Sequence, residues 1–102
     1  MIPRELRLPL RRSPGFFSSS ERKENKNVLI FLREGATSLG AVIVPKRIEN
    51  SAVKRNSLKR KLKSVLVQIL QHNLNIQMVV VAKKKTTVLT KNELFSTLNE
   101  LV

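Results

Sequence analysis

The chain lacks several of the residues that enzymes use most often. Cysteine and aspartate are absent, and histidine occurs once, at position 72. Without cysteine there can be no disulfide, no thiolate nucleophile and no zinc-finger spacing, which fits a reducing compartment such as the cytoplasm. The seven glutamates show no paired spacing for acid–base catalysis, and we expect His72 to be a surface residue at a helix end. We therefore expect no catalytic residue and no metal or cofactor bound by the protein alone.

Long apolar runs are also missing. The two longest cover residues 28–32 and 78–82, far fewer than the roughly 20 residues that a membrane-spanning helix needs. The N-terminal residues lack the continuous apolar stretch of a signal peptide, and no basic helix rich in Trp or Phe is present. The sequence therefore predicts a cytoplasmic protein without a membrane partner.

Positive charge is what the chain has in excess. Twenty Lys and Arg face seven acidic residues, for a net charge of +13 over 102 residues. Residues 46–63 alone carry eight basic side chains and one Glu. So strong a charge repels itself unless a polyanion is present, and nucleic acid is the polyanion that fits. We expect a folded RNA-binding domain with a basic N-terminal arm.

The hydrophobic pattern predicts one domain over residues 1–102, with an arm at 1–26 and a folded core at 27–102. Pro3, Pro9 and Pro14 argue against a helix in the first fourteen residues. A short helical turn around Phe16 and Phe17 is followed by a predicted loop over 18–26. Apolar, β-branched runs predict strands at 27–33 and 39–44, joined by a turn at 34–37 as an antiparallel hairpin, and a third strand at 76–82.

Two helices complete the predicted core. The longer one, over 51–72, has Ser51 as its N-cap and an apolar face formed by Leu58, Leu62, Val65, Leu66 and Ile69. The second, over 90–102, opens with Thr90 and Glu93 in the spacing of a capping box. The fold class that we predict is an α/β (α+β) two-layer sandwich, with a small mixed sheet and a strand–helix–strand unit.

The long helix also predicts a binding surface. At about 100° per residue, Asn56, Lys59, Arg60 and Lys63 share an arc beside the apolar one. Arg can bind a phosphate through two parallel donors, Lys adds a point charge, and Asn can bond a ribose hydroxyl or a base edge. Arg55 falls within the apolar arc, where it is tolerable only near the helix start. A solvated face is the ordinary alternative, but the density of charge favours RNA binding.

At this stretch the sequence resembles the protein component of bacterial ribonuclease P. The pattern Ala-x-x-Arg-Asn-x-x-Lys-Arg after a basic pair is similar to the Arg-Asn-Arg signature of that family, and the later strand and closing helix follow in the same order over roughly residues 26–102. The matching residues are Lys46, Arg47, Ala52, Arg55, Asn56, Lys59 and Arg60. Ser57 stands where the family has its second Arg, and Lys63 where it usually has another.

The resemblance implies a ribonuclease P protein-like, or ribosomal protein-like, fold and a non-catalytic subunit of an endoribonuclease that matures the 5′ end of tRNA. The partners it implies are the catalytic RNA and precursor tRNA, with magnesium bound through the RNA. It implies that Lys46, Arg47, Arg55, Asn56, Lys59, Arg60 and Lys63 bind the catalytic RNA. It also implies that Phe31 and either Phe16 or Phe17 line a cleft for the single-stranded 5′ leader.

Several alternatives stay open at this point. The chain could be a ribosomal or ribosome-associated RNA-binding protein of related fold. A DNA-binding helix-turn-helix is not expected, because a strand rather than a second helix follows the long helix. A self-sufficient nuclease is not expected, because the necessary carboxylates are missing. Phe31 could belong to the core instead of the cleft, and Lys83, Lys84 and Lys85 are expected to form a solvated loop.

Overall fold

The computed structural model describes residues 6–8, 15–35, 37–73 and 75–102. A short helix α1 and a strand β1 precede two longer strands β2 and β3, the long helix α2, the strand β4 and the closing helix α3. Their bounds are Phe16–Ser19 for α1, Glu21–Glu24 for β1, Val28–Glu34 for β2, Leu39–Ile43 for β3, Ala52–His72 for α2, Ile76–Ala82 for β4 and Lys91–Leu101 for α3. Short 3₁₀ turns cover Lys46–Ile48 and Lys84–Val88.

The four strands form one mixed sheet in the order β1-β2-β4-β3. β2 is antiparallel to both β1 and β4, whereas β3 runs parallel to β4. The predicted strand–helix–strand unit is thus confirmed as β3–α2–β4. The predicted hairpin between the strands at 27–33 and 39–44 is wrong, because β4 lies between them. Val79 and Val80 of β4 are fully buried, so the sheet gains most by placing this strand at its centre.

Both long helices pack on one face of the sheet and enclose the main core. All five apolar residues predicted on the face of α2 are buried there. Gly40 of β3 permits this packing, because a Cβ at that position would lie 2.8 Å from side-chain atoms of both Leu66 and Leu70. The buried members of this core are Val28, Ile30, Val44, Leu58, Leu62, Val65, Leu66, Ile69, Leu70, Met78, Val80, Ala82, Leu94 and Leu98.

The predicted helix caps are present. The Ser51 hydroxyl accepts a hydrogen bond from the backbone N–H of Lys54, at 3.3 Å. At α3 the capping box is complete, because Thr90 Oγ1 accepts from the Glu93 N–H and the Glu93 carboxylate accepts from the Thr90 N–H, at 2.9 Å. These bonds hold the pKa of Glu93 below its ordinary value. Each cap satisfies backbone donors that the helix itself leaves without partners.

The N-terminal arm is more regular than predicted. The helical turn around Phe16 and Phe17 is present as α1, but the loop predicted at 18–26 is wrong, because residues 21–24 form β1. This strand is entirely charged and polar and lies at the edge of the sheet, where charged side chains are common. Near the opposite edge, the Leu8 N–H donates to the Gly40 carbonyl at 2.9 Å. Pro3, Pro9 and Pro14 lie outside the described residues.

Candidate nucleic-acid interface

Helix α2 carries four polar residues of the predicted arc on one side. Asn56 and Arg60 are exposed, while Lys59 and Lys63 are half-buried, as expected for side chains that lie next to the core arc. Long cationic side chains at such positions cover apolar surface with their stems and keep their charged ends in water. We call Asn56, Lys59, Arg60 and Lys63 the α2 strip. In this arrangement a rigid helix holds its three cations at fixed spacing.

Arg55 lies elsewhere and has a structural task. Its Nη1 donates to the backbone carbonyls of Glu49 and Asn50, at 3.0 and 2.9 Å. The side chain thereby fastens the segment before α2 to the first turn of the helix, which explains how an arginine is accommodated within the apolar arc. Guanidinium carries five donors, so the remaining N–H groups can still reach an RNA phosphate. RNA contact by Arg55 stays a prediction.

The basic pair before the helix is well placed for the same surface. Lys46 and Arg47 are both exposed, in the 3₁₀ turn Lys46–Ile48 that links β3 to the start of α2. Pro45 precedes this turn with an extended backbone, which ends the strand. The pair therefore adds two exposed cations in the turn before the helix. Its role in RNA binding stays a prediction.

The opposite face of the sheet carries the aromatic residues. Phe31 is half-buried there, beside Val79, whereas its chain neighbour Ile30 points into the helical core. Phe17 is 45% exposed and its ring lies edge-on to that of Phe31, with centroids 4.9 Å apart. Phe16 is fully buried against the sheet with Leu8 and Val79. Of the adjacent pair, Phe17 is thus the one that a ligand can reach.

A partly open apolar surface surrounds these rings. We call it the open sheet face; it is formed by half-buried side chains of β2, β3 and β4 with Phe17 at its border, namely Phe17, Phe31, Ala41, Ile43 and Val81. Flat aromatic and apolar surface of this kind suits unstacked nucleic-acid bases. The sheet separates it from α2 and its strip, so the domain offers two different surfaces to nucleic acid.

Comparison with known proteins identifies the family. The family model for ribonuclease P matches residues 9–102, which is nearly the whole chain. The chain belongs to the ribonuclease P family. The ribonuclease P protein component of Mycoplasma mobile is 37% identical over 57 residues, which cover 56% of this chain and 49% of that protein. The matching region thus spans about half the length of this curated relative.

Solved structures from the family show the same fold. The ribonuclease P protein of Thermotoga maritima, in complex with 1-(4-fluorophenyl)-2-thiourea, superposes with a TM-score of 0.79 at 22% identity, covering 93% of this chain and 96% of that one. The protein from Staphylococcus aureus gives a TM-score of 0.78 at 16% identity, covering 94% and 91%. The predicted mixed α/β fold is therefore confirmed.

Sequence reasoning missed two arginines beside the aromatic residues. Arg22 of β1 is directly opposite Phe31 in the strand pairing and so lies on the same face of the sheet. Arg33 follows two residues after Phe31, and its guanidinium carbon is 4.7 Å from the centre of the Phe16 ring. Arg22 could not be placed from the sequence because β1 itself was not predicted. A charged edge strand lacks the alternation of apolar and polar residues by which strands are recognised. Once the strand is known, its register places Arg22 on the open sheet face.

The lysine run after β4 is solvated only in part. Lys84 and Lys85 are exposed, as predicted for a loop. Lys83 differs, because its Nζ donates to the Glu24 carboxylate at 2.7 Å and to the Asn25 carbonyl at 2.9 Å. The hydrogen bond from Lys83 to the carboxylate is the main reason that the pKa of Glu24 is lowered. The positive charge of Arg22, which is paired with the same carboxylate, lowers this pKa further. Lys83 therefore ties the end of β4 to the turn between β1 and β2.

Other classes of site have little support among the described residues. In the ranges given above, no three His, Cys or Glu side chains come together in a group that could hold a metal ion. His72 is exposed at the end of α2, as expected. No helix in the described part of the chain is long and apolar enough to cross a membrane. After α2 the chain enters β4 rather than a second helix, so the helix-turn-helix alternative does not apply.

Proposed function

We propose that this chain is the protein subunit of a ribonuclease P, in which it binds the catalytic RNA and the 5′ leader of precursor tRNA to assist endonucleolytic maturation of tRNA. Membership of the family supports this proposal, and one observation carries it. The α2 strip and the open sheet face lie on opposite sides of the sheet, so that two RNA ligands can be held at once.

The α2 strip is the surface that we assign to the catalytic RNA. Lys59, Arg60 and Lys63 neutralise backbone phosphates, while Asn56 bonds a ribose hydroxyl or base edge. Lys46, Arg47 and the free donors of Arg55 extend the contact at the start of the helix. A rigid helix fixes the spacing of these charges, which lets them match an ordered RNA rather than any polyanion.

The open sheet face is the surface that we assign to the leader. Phe31 and Phe17 offer aromatic surface on which successive bases can stack, and Arg22 adds positive charge for the phosphates. Stacking tolerates any base, which suits leaders of varying sequence. Phe16 supports these rings from below, because it is fully buried and meets Phe17 edge-on at 5.6 Å between centroids.

In this proposal the RNA performs phosphodiester hydrolysis. We assign the magnesium that the reaction needs to the RNA; in the described part of the protein, no three His, Cys or Glu side chains come together as a metal site. The protein contributes positive charge between two polyanions and thereby lowers the magnesium concentration at which they associate. A cytoplasmic location is part of this proposal, because a chain without cysteine fits a reducing compartment.

The decisive experiment is reconstitution. The full chain is added to a bacterial ribonuclease P RNA at a magnesium concentration where the RNA alone is nearly inactive, and cleavage of a tRNA precursor is measured. We expect the protein to restore cleavage and to show none when assayed without RNA. A ribosomal RNA-binding role would leave cleavage unchanged, and cleavage by the protein alone after nuclease controls would overturn the proposal.

A further inference from the structure

A pocket of about 170 Å³ lies on the side of α2 away from the α2 strip, between the helix and the 3₁₀ turn Lys84–Val88. Five of its six lining residues have polar side chains, among them two lysines and two hydroxyl groups. The lining residues are Glu49, Lys54, Ser57, Leu58, Lys61 and Thr87. Lys54, Ser57 and Lys61 recur every three or four residues, which places them along one side of the helix, roughly opposite the α2 strip.

One cation of this pocket is held in place. Lys61 is half-buried and its Nζ donates to the Leu89 carbonyl at 3.0 Å, so the ammonium cannot swing freely into solvent. An ammonium carries three donors, which leaves two of them for a ligand. A cation that is fixed before binding loses less side-chain entropy when a ligand arrives than a mobile surface lysine does.

Two further donors at this pocket have no partner among the residues that the structure describes. Within the described ranges, neither the Lys54 ammonium nor the Ser57 hydroxyl forms a hydrogen bond or an ion pair. The carboxylate that lines the pocket, that of Glu49, accepts the Ser51 N–H at 3.2 Å and lies too far from either lysine for an ion pair in the described structure. The Thr87 hydroxyl donates to the Lys84 carbonyl at 2.7 Å and can still accept. The lining therefore has a net positive charge and several donors ready for an acceptor.

We propose that this pocket binds a backbone phosphate of the catalytic RNA, with Lys54, Lys61 and Ser57 as its donors. Its volume is below the roughly 300 Å³ of sites that enclose whole small molecules, yet it is large enough for several groups the size of a water molecule, at about 30 Å³ each. A small, strongly accepting group carried by a larger ligand fits that size. This inference deepens the proposed function and rests on it: α2 then grips the RNA on both sides, through the α2 strip and through the pocket.

The first test uses inorganic phosphate on the isotopically labelled full chain, followed by nuclear magnetic resonance. We expect saturable shifts of the Ser57, Lys61 and Thr87 amides that are lost in Lys61→Gln and in Ser57→Leu, whose apolar side chain removes a donor and occupies the pocket. Lys26→Gln removes the same charge from the exposed turn between β1 and β2 and serves as the matched control. Shifts spread evenly over all lysine-bearing segments would overturn the proposal.

The second test measures binding to the catalytic RNA. Loss of one charge-assisted phosphate contact should weaken affinity about tenfold in Lys61→Gln, and the slope of log affinity against log salt should fall by about one. Lys26→Gln should change affinity by no more than about twofold. Phosphate binding without an RNA effect would mean that free phosphate is the ligand, and would refute the RNA assignment.

The two tests separate this inference from the proposed function. If Lys61→Gln behaves like Lys26→Gln while Arg60→Ala loses RNA affinity, the pocket proposal fails and the proposed function stands. If the unmodified chain does not bind the catalytic RNA, the proposed function fails and the RNA assignment of the pocket fails with it. The phosphate titration then still reports whether the pocket is an anion site. Folding of each variant is checked by its thermal melt before either measurement.

Discussion

Replacing Phe31 tests whether the open sheet face binds the leader. In Phe31→Ala the stacking surface opposite Phe17 is removed. Stacking of one base on an aromatic side chain is worth about 1–3 kcal/mol, which corresponds to a roughly five- to 150-fold loss of affinity. We expect this loss for precursor tRNA and not for mature tRNA, because only the precursor carries a leader. Binding of both is measured with the holoenzyme reconstituted on a bacterial ribonuclease P RNA.

The cost of this substitution to stability can be worked from burial. Truncating a fully buried Phe costs about 3–5 kcal/mol, and Phe31 is half-buried, so we expect roughly half of that. A thermal melt should show a decrease of roughly 6–20 °C, since about 1 kcal/mol lowers the melting temperature of a domain this size by about 4–8 °C. Because this loss is smaller than the roughly 5–15 kcal/mol that stabilises a typical domain, the protein should stay folded at 25 °C, where binding is measured.

Two matched variants separate stacking from packing. Ile30→Ala truncates the residue just before Phe31, which is fully buried on the other face of the sheet. This substitution should cost about 2–5 kcal/mol of stability without altering the preference for precursor over mature tRNA. Phe31→Leu keeps apolar volume but removes the aromatic plane, and should lose that preference with little loss of stability. If Phe31→Ala weakens the binding of precursor and mature tRNA equally, the stacking argument is refuted. It is also refuted if Phe31→Leu binds precursor tRNA as tightly as the unmodified chain does.

Three further predictions follow from positions described above. Arg60→Ala should weaken binding to the catalytic RNA about tenfold more than Lys84→Ala, because Arg60 lies on the α2 strip and Lys84 on an exposed turn; equal losses in filter binding would mean that only bulk charge matters. Gly40→Val should destabilise the fold by about 1–3 kcal/mol through the clash with α2, and an unchanged denaturation midpoint would contradict this. Because the pKa of Glu24 is lowered from 4.5, its contribution to stability is present above that pH and is lost as pH falls through the lowered pKa. The stability of Glu24→Gln should therefore fall less steeply below pH 4.5, and the same slope in both proteins would refute the effect.

Local patterns were readable from the sequence because their causes are local. The caps at Ser51 and Thr90 depend on side chains within three residues of the helix start, and the buried face of α2 follows from its own periodicity. The partner of each strand depends instead on residues far apart in the chain. The short turn near Gly35 favoured a hairpin, but the pairing of β2 with β4 joins segments more than forty residues apart.

In the candidate site, too, features with local causes could be predicted and those that depend on distant parts of the chain could not. The α2 strip could be predicted, since helical spacing alone puts Asn56, Lys59, Arg60 and Lys63 together. Which of Phe16 and Phe17 is accessible could not, because adjacent residues differ only in what the rest of the chain packs against them. The pocket beside Lys61 was equally hidden, because its walls come from α2 and from the turn after β4, which no sequence pattern connects.

The parallel pairing of β3 with β4 determines when the helix between them can dock during synthesis of the chain. During synthesis, α2 emerges from the ribosome before the strand that completes the sheet beneath it. At 1.5 Å per residue its 21 residues extend about 31 Å, and its apolar face has no full docking surface until β4 has inserted between β2 and β3. A nascent chain ending before Ile76 would thus carry the cations of α2 on an undocked helix. Tight, selective capture of RNA would then begin only once roughly the last quarter of the chain, residues 76–102, has been translated, so that incomplete chains compete poorly for the RNA.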